Sequence, residues 1–318
     1  QAYENLQKSK NDRYQYVLPY YDLNKTFFPK FITGSINLAS GGSNDLNNTN
    51  QLKTRITNNL SYSSLDYITK LGFKNNFNIS LKNLNSVGKN VSEYKNKPQI
   101  ELSSQFEVNT SIPLRKETMN YLNSLTPKIS IRANPGDMKN HNDSERIINT
   151  DNIFSLDRLG LEDSFETGKS LTIGIDYKKQ TLNDMNKYFE IKLASVLRDK
   201  EENFMPSKTT LNKKSSNIFG SLSSNYIRNF DLKYKFALDN NLDEMDYNDV
   251  SAKFSLNNFV TSFNLIKEKD EMGEENYTKN NISYKFNDQN QISFNSRRNR
   301  RINLTEFYNL VYEYKNDC

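Results

Sequence analysis

Several things are scarce in this 318-residue chain. It has one cysteine, Cys318, one histidine, His141, and no tryptophan, with only 11 glycines and 7 prolines. A lone Cys and a lone His exclude the usual thiolate and imidazole metal centres, and the carboxylates do not fall at ligand spacing, so no metal or cofactor is expected. No run approaches 18 apolar residues, which excludes a membrane-crossing helix. It does not exclude a membrane barrel, whose strands are short and alternating. No charged segment followed by an apolar one opens the chain, so no signal peptide is visible at Gln1. No repeat of fixed period occurs, which argues against a solenoid. Gly41-Gly42 stands in a Ser/Asn stretch with neither a GxGxxG pattern nor a following helix, and reads as a turn rather than a phosphate cradle.

What is present is a low hydrophobic content of 35% together with 12% aromatics, 19 Tyr and 19 Phe. The aromatics and the regular patterning argue against disorder. They fit a β architecture in which only one face of each strand is apolar. The net charge of +5 comes from interspersed acids and bases, which gives no reason to expect nucleic acid as a partner.

Period-2 alternation runs through almost every segment. Residues 51–62 set Leu52, Ile56, Leu60 and Tyr62 against Lys53, Arg55, Thr57, Asn59 and Ser61; residues 100–112 set Ile100, Leu102, Phe106 and Val108 against Glu101, Ser103, Gln105 and Glu107. Similar patterns at 12–18, 30–39, 67–81, 123–133, 169–178, 187–198, 216–228, 231–239, 248–256, 259–266, 280–286, 291–297 and 302–315 bring the count to about 15 strands of membrane-crossing length. Long polar loops are expected at 40–50, 82–99, 134–168, 199–215, 240–247 and 267–279. Shorter links alternate with them at 63–66, 113–122, 179–186, 229–230, 257–258 and 287–290. That asymmetry predicts an all-β, antiparallel, transmembrane outer-membrane β-barrel, incomplete within this chain, with long extracellular loops and shorter periplasmic turns. The competing architecture is a large β-sandwich. Both ends of the sequence look cut, so residues 1–318 are expected to be part of one barrel domain.

Residues that carry chemistry are few. His141, in NPGDMKNHNDSER, is the only residue on which a Ser–His–Asp site could rest; among Asn and Asp it reads as a solvated loop histidine, and no enzyme is expected. The acidic groups Asp243, Glu244, Asp246 and Glu268, Asp270, Glu271 read as solvated loop faces. Arg297, Arg298, Arg300 and Arg301 form the densest basic cluster, and guanidinium forks suit phosphate. The alternation of links puts them on the long-loop side, where they are candidates for contact with lipopolysaccharide phosphates. Cys318 follows a strand leading back to the short-turn side and, in an oxidising compartment, calls for a partner outside the sequence.

The terminal NLTEFYNLVYEYKNDC (303–318) resembles a late strand and cysteine of the LptD family, the lipopolysaccharide-assembly or organic solvent tolerance proteins. RYQYVLPYYDLNKTF (13–27), SIPLRK (111–116), LTPKISIRANPGDMKN (125–140), NIFSLDRLG (152–160) and FETGKSLTIGIDY (165–177) are similar to segments of that family and follow its order. The resemblance implies a large barrel in the bacterial outer membrane, preceded by a periplasmic jelly roll and holding an LptE-like plug lipoprotein. Lipopolysaccharide would reach it over a bridge of LptA-like proteins and leave through a gate between the first and last strands. Cys318 would be one of a late cysteine pair bonded to N-terminal cysteines. This sequence departs from the family pattern by lacking the jelly roll, those cysteines and the closing strands. A porin or plugged receptor for small solutes, and a barrel phospholipase using His141, are the alternatives.

Overall fold

In a computed structural model, described for residues 2–4, 14–47, 50–92 and 94–315, the chain is one antiparallel sheet of 18 strands. They are β1 (Ala2–Glu4), β2 (Tyr14–Phe27), β3 (Gly34–Asn47), β4 (Gln51–Ser64), β5 (Tyr67–Ile68), β6 (Lys74–Lys89), β7 (Gln99–Ser111), β8 (Leu114–Glu117) and β9 (Tyr121–Asn134). There follow β10 (Gly168–Thr181), β11 (Asp184–Arg198), β12 (Ile218–Ser224), β13 (Phe230–Leu238), β14 (Met245–Leu256), β15 (Phe259–Glu268), β16 (Asn276–Lys285), β17 (Asn290–Asn299) and β18 (Leu304–Tyr314). The long strands pair in chain order as a meander, from β2–β3 through β9–β10 to β17–β18. No register pair joins β18 to β2 among the described residues, and β18 is exposed along its whole length. The sheet is therefore open, as an incomplete barrel would be.

The 15 long strands correspond one for one to the alternating segments, and the link asymmetry holds from β9 onward; earlier it does not, because the link between β3 and β4 is shorter than the one between β4 and β6. The links 135–167 and 199–217 lie at one end of the sheet, and 182–183 and 257–258 at the other. The link after β7 is long only in residue count, because β8 pairs back onto the first residues of β9.

Two expected loops are corrected. Residues 40–47 belong to β3 and residues 82–89 to β6. Their polar side chains bond across the sheet instead of marking turns: Ser40 Oγ donates to Asn58 Oδ1 at 2.7 Å, Asn58 Nδ2 to Asn83 Oδ1 at 3.1 Å, and Asn83 Nδ2 to Glu101 O at 3.1 Å. Gly41-Gly42 is likewise strand and not turn. Gly42 lies opposite Tyr21, and a Cβ there would stand 2.3 Å from the Tyr21 ring. The glycine is where the neighbouring aromatic lies down, a use of strand glycine that a turn reading overlooks. A bulge corrects the last strand too. The register skips Glu306 between Arg297 and Arg298, so the apolar stripe Tyr308, Leu310, Tyr312 does not continue to Leu304, which falls on the opposite face.

The sheet is inside out relative to a water-soluble one. Ile131 is 55% exposed whereas its neighbour Arg132 is 2%, and Ile173 is 47% exposed whereas Thr172 is fully buried. Because successive residues point to opposite faces, the outward face is aliphatic and aromatic and the inward face is polar or charged, except at Ala194, Val196, Phe219 and Ala237. At the short-link end the outward face carries Phe28, Phe31, Tyr67 and Phe286, all exposed. Tyr226 joins them, its hydroxyl donating to the Tyr121 hydroxyl at 2.9 Å. The hydrophobic core lies inside the sheet, under the links 135–167 and 199–217. There Ile148, Ile153 and Leu159 of one and Met205 and Leu211 of the other meet Ala194, Val196, Phe219 and Ala237 of β11–β13.

Candidate functional site: a lid on the charged inner face

The link 135–167 does not stand out from the sheet. It folds back along the inner face as a lid, and its sequence explains why. Ile148, Ile153, Leu159 and Phe165 are apolar residues that an outward loop would expose, and here all four are buried. Local turns set the path. Asn149 Oδ1 accepts the Asp151 N–H at 2.9 Å, an Asx turn, and the Asn149 carbonyl takes the Ile153 N–H at 3.0 Å.

A loop brought inside must satisfy its backbone carbonyls, and the strands supply cations and amides for this. Arg132 of β9 donates through Nη2 to Ser155 O at 2.9 Å and through Nη1 to Ile153 O at 3.2 Å. Its Nε holds Glu107 of β7 at 2.6 Å. Lys82 of β6 reaches Leu161 O, Ser164 O at 3.2 Å and the Asp157 carboxylate, and lies over the Phe165 ring at 4.4 Å. Gln105 of β7 donates to Leu156 O at 2.5 Å. At the margins the lid reaches Arg55 of β4 through Glu162 at 2.7 Å and Lys235 of β13 through Asp151 at 2.7 Å.

The centre is Arg158, a lid residue that is completely buried. Its guanidinium makes five hydrogen bonds: two to Glu166, at 2.6 and 2.7 Å, and one each to Thr172 Oγ1, Ser170 Oγ and Ile153 O. Glu166 is also bound by Arg198 of β11, which donates a second bond to Thr167 O at 2.5 Å. Burial opposes ionisation of Glu166, but the adjoining Arg158 and Arg198 overcome it and hold the carboxyl at about 2. Burial draws Arg158 down to about 10, which leaves it a cation at any physiological pH. Such an arrangement offsets its desolvation only through close pairing; all five Arg158 N–H groups are used, while Arg198 keeps one buried N–H, at Nε, without a partner among the described residues.

The expected site residues fare unequally. His141 Nε2 lies 2.9 Å from Asp163 Oδ1, but the nearby Ser164 hydroxyl donates to that same carboxylate, at 3.1 Å. A serine bonded to the acid instead of the imidazole is not activated as a nucleophile. The trio secures the lid, with Asp163 held at about 2 against its burial by His141 and Ser164. Glu244, Asp246 and Asp270 do come together, their carboxylate oxygens within 4.8 Å. Lys269 pairs with Glu244, however, and Glu271 turns to Lys213.

The arginine cluster is divided. Arg297 points inward, stacked on Tyr277 at 4.1 Å and paired with Glu306 at 2.8 Å. Arg301 pairs with Glu274. Arg298 projects from the opposite face of β17 and bonds Asn303 at 2.5 Å; Arg300 is exposed in the link. Cys318 lies outside the described residues. Sequence reasoning missed the lid anchors Lys82, Glu107, Arg132, Arg158, Glu166 and Arg198. For Lys82, Glu107 and Arg132 the available signal was a full charge within a strand, at an inward position where Ser, Thr or Asn would do.

A family model described as LptD, LPS transport system D, matches residues 46–301, well over half of the chain. No curated protein matches it.

Proposed function

The chain belongs to the LptD family, and from that premise we propose that it is the barrel part of an outer-membrane translocon that assembles lipopolysaccharide into the outer leaflet. The observation that carries the reading is the inverted sheet: apolar side chains exposed outside, charged ones buried inside. In water that arrangement is costly, whereas in lipid it is what a spanning sheet requires. The aromatic residues at the short-link end fit one interfacial girdle. Work must be supplied from outside, and the partners on this reading are lipopolysaccharide, LptA-like bridge proteins and an LptE-like plug lipoprotein. The inner face of β14–β18, which the lid leaves uncovered, offers the plug a polar wall. Cys318 would take part in a disulfide with a cysteine elsewhere in the assembly.

On the same reading Arg298 and Arg300 are the cluster members placed to meet lipopolysaccharide phosphates, because Arg297 and Arg301 are already paired with carboxylates. The full-length protein with its plug, reconstituted in proteoliposomes and supplied with lipopolysaccharide, tests the function. Transfer to the outer leaflet is expected, and Arg298→Gln with Arg300→Gln should slow it without loss of folding. Small-solute flux without transfer would sink the translocon reading and favour a porin.

A further inference from the structure

The outward face has a sizeable recess at the long-link end of β9 and β10. It arises from a parting of strands. β7 pairs with β9 only over Phe106–Ser111, with Phe106 opposite Ala133. Above that level β7 continues beside β6 to Gln99, while β9 ends at Asn134 and the chain turns inward through Pro135 and Gly136. The lid closes the inner side of the gap: Phe165 N donates to Ser103 Oγ at 3.1 Å and Asn134 Nδ2 to Phe165 O at 3.4 Å. What remains open outward is a cavity of about 410 Å³.

Its two ends differ chemically. The floor is Phe106 and Ala133, continuous with the exposed Ile131 and Val108 of the apolar face. The rim carries Lys169 and Lys200, with Asp137 and Asp199 beside them. Asp199 Oδ1 is engaged by the Lys169 backbone N–H at 3.1 Å. Neither lysine ammonium has an ion-pair or hydrogen-bond partner among the described residues. Gly168 keeps the space open, for at its φ of +78° only glycine is relaxed, and a Cβ would stand 3.1 Å from Asp199 Oδ1 and 3.5 Å from Lys200 Cε. Two free cations directly above an apolar slot match an amphiphile whose head is anionic and whose tail is hydrocarbon. Lysine stems suit this position, since they lie along apolar surface while the ammonium reaches the head-group layer.

We propose that this notch binds the phosphate-bearing head of a membrane lipid, with Lys169 and Lys200 on the phosphate and an acyl chain over Phe106 and Ala133. The proposal rests on the outward face being lipid-facing. The site would tie the junction of lid and wall to the lipid layer at a place where two strands separate.

The test is titration of the full chain in neutral detergent with a short-chain phosphatidic acid, and separately with inorganic phosphate. The lipid is expected to bind at least about tenfold more tightly than phosphate, a difference readily resolved as a change in Kd. Lys169→Gln with Lys200→Gln should weaken the lipid about tenfold. Phe106→Ala should weaken the lipid and spare phosphate. Unchanged lipid binding in the double variant, or inorganic phosphate binding as tightly as the lipid, would overturn the site. Protease protection of the strands in phosphatidylcholine vesicles is scored on its own. Failure there overturns the membrane reading, whereas charge-independent lipid binding by an inserted chain overturns only the notch.

Discussion

Strands β6–β13 and β14–β18 are built from the same antiparallel ladder, with apolar residues outside and polar ones within, yet they differ in what covers their inner side. Under the lid, Ser80, Lys82, Gln105, Glu107, Ser130, Arg132, Thr172 and Arg198 are all buried. In β14–β18 no residue is buried at all. The difference lies in the lid rather than the ladder. Where the lid is present, full charges are taken out of water, and each has a partner at close range. Where it is absent, Lys253, Lys279 and Asn295 remain accessible, free to face water or another protein. One half of the inner wall is finished by the chain itself, and the other is left available.

Removing the central carboxylate is the strongest way to break that contrast. Glu166→Gln leaves Arg158 and Arg198 buried without a counter-charge, and loss of one partner of a buried pair costs roughly 3–5 kcal/mol. The loss should fall on one side: amide exchange in 135–167 accelerates while β14–β18 keeps its protection. Equal loosening of both halves would show that the lid is not a separate unit.

Acid does the same job reversibly, by a somewhat smaller amount. Glu166 is held at about 2 in the folded chain, below its ordinary 4.5, and Asp163 at about 2, below 3.8. Depressed carboxyls contribute stability that is fully present above their ordinary values and is lost as pH falls through the folded ones. For Glu166 that amounts to about 3 kcal/mol, lost between roughly pH 4.5 and 2. Exchange measured down this range should open the lid first. A lid still protected at pH 2 would mean that carbonyl capture by Lys82 and Arg132 suffices alone.

A smaller effect belongs to the outward wall. Gly220 faces Phe236 across the β12–β13 pair, and a Cβ there would meet the ring at 2.1 Å. Gly220→Ala should cost about 1–3 kcal/mol through a displaced ring, seen in thermal unfolding, with lid protection unchanged.

How much of this was legible in the sequence follows from the range of the interactions. Strand alternation is local, because each strand needs only one apolar face; hence all 15 long strands could be read, from Gln99–Ser111 to Leu304–Tyr314. The upper ends of β3 and β6 were misread because Ser40 and Asn83 are turn-forming types whose hydrogen bonds run to other strands, to Asn58 of β4 and Glu101 of β7. The lid was read as a loop of the right extent, but its inward course depends on Arg158 and Glu166 of the loop meeting Arg198 of β11 and Lys82 of β6. Nothing in local spacing brings these together. Likewise four nearby arginines look like one patch, until strand parity and the bulge at Glu306 send Arg297 and Arg298 to opposite faces.

The smallest expected effect sharpens the comparison from the uncovered side. Arg301 and Glu274 form an ion pair between the links flanking β16 and β17, with side chains 57% and 74% exposed. Solvent screens such a pair, and its ordering costs side-chain entropy, so Arg301→Gln should change stability by no more than about 1 kcal/mol. At 1 M salt, where the screening length is only about 3 Å, even that should shrink. Chemical denaturation at low and high salt reads both numbers. A cost of 2 kcal/mol or more that survives salt would give β14–β18 electrostatic cohesion of its own. The contrast with Glu166, where the same kind of charge pair is worth several times more because water is excluded, would then have to be abandoned.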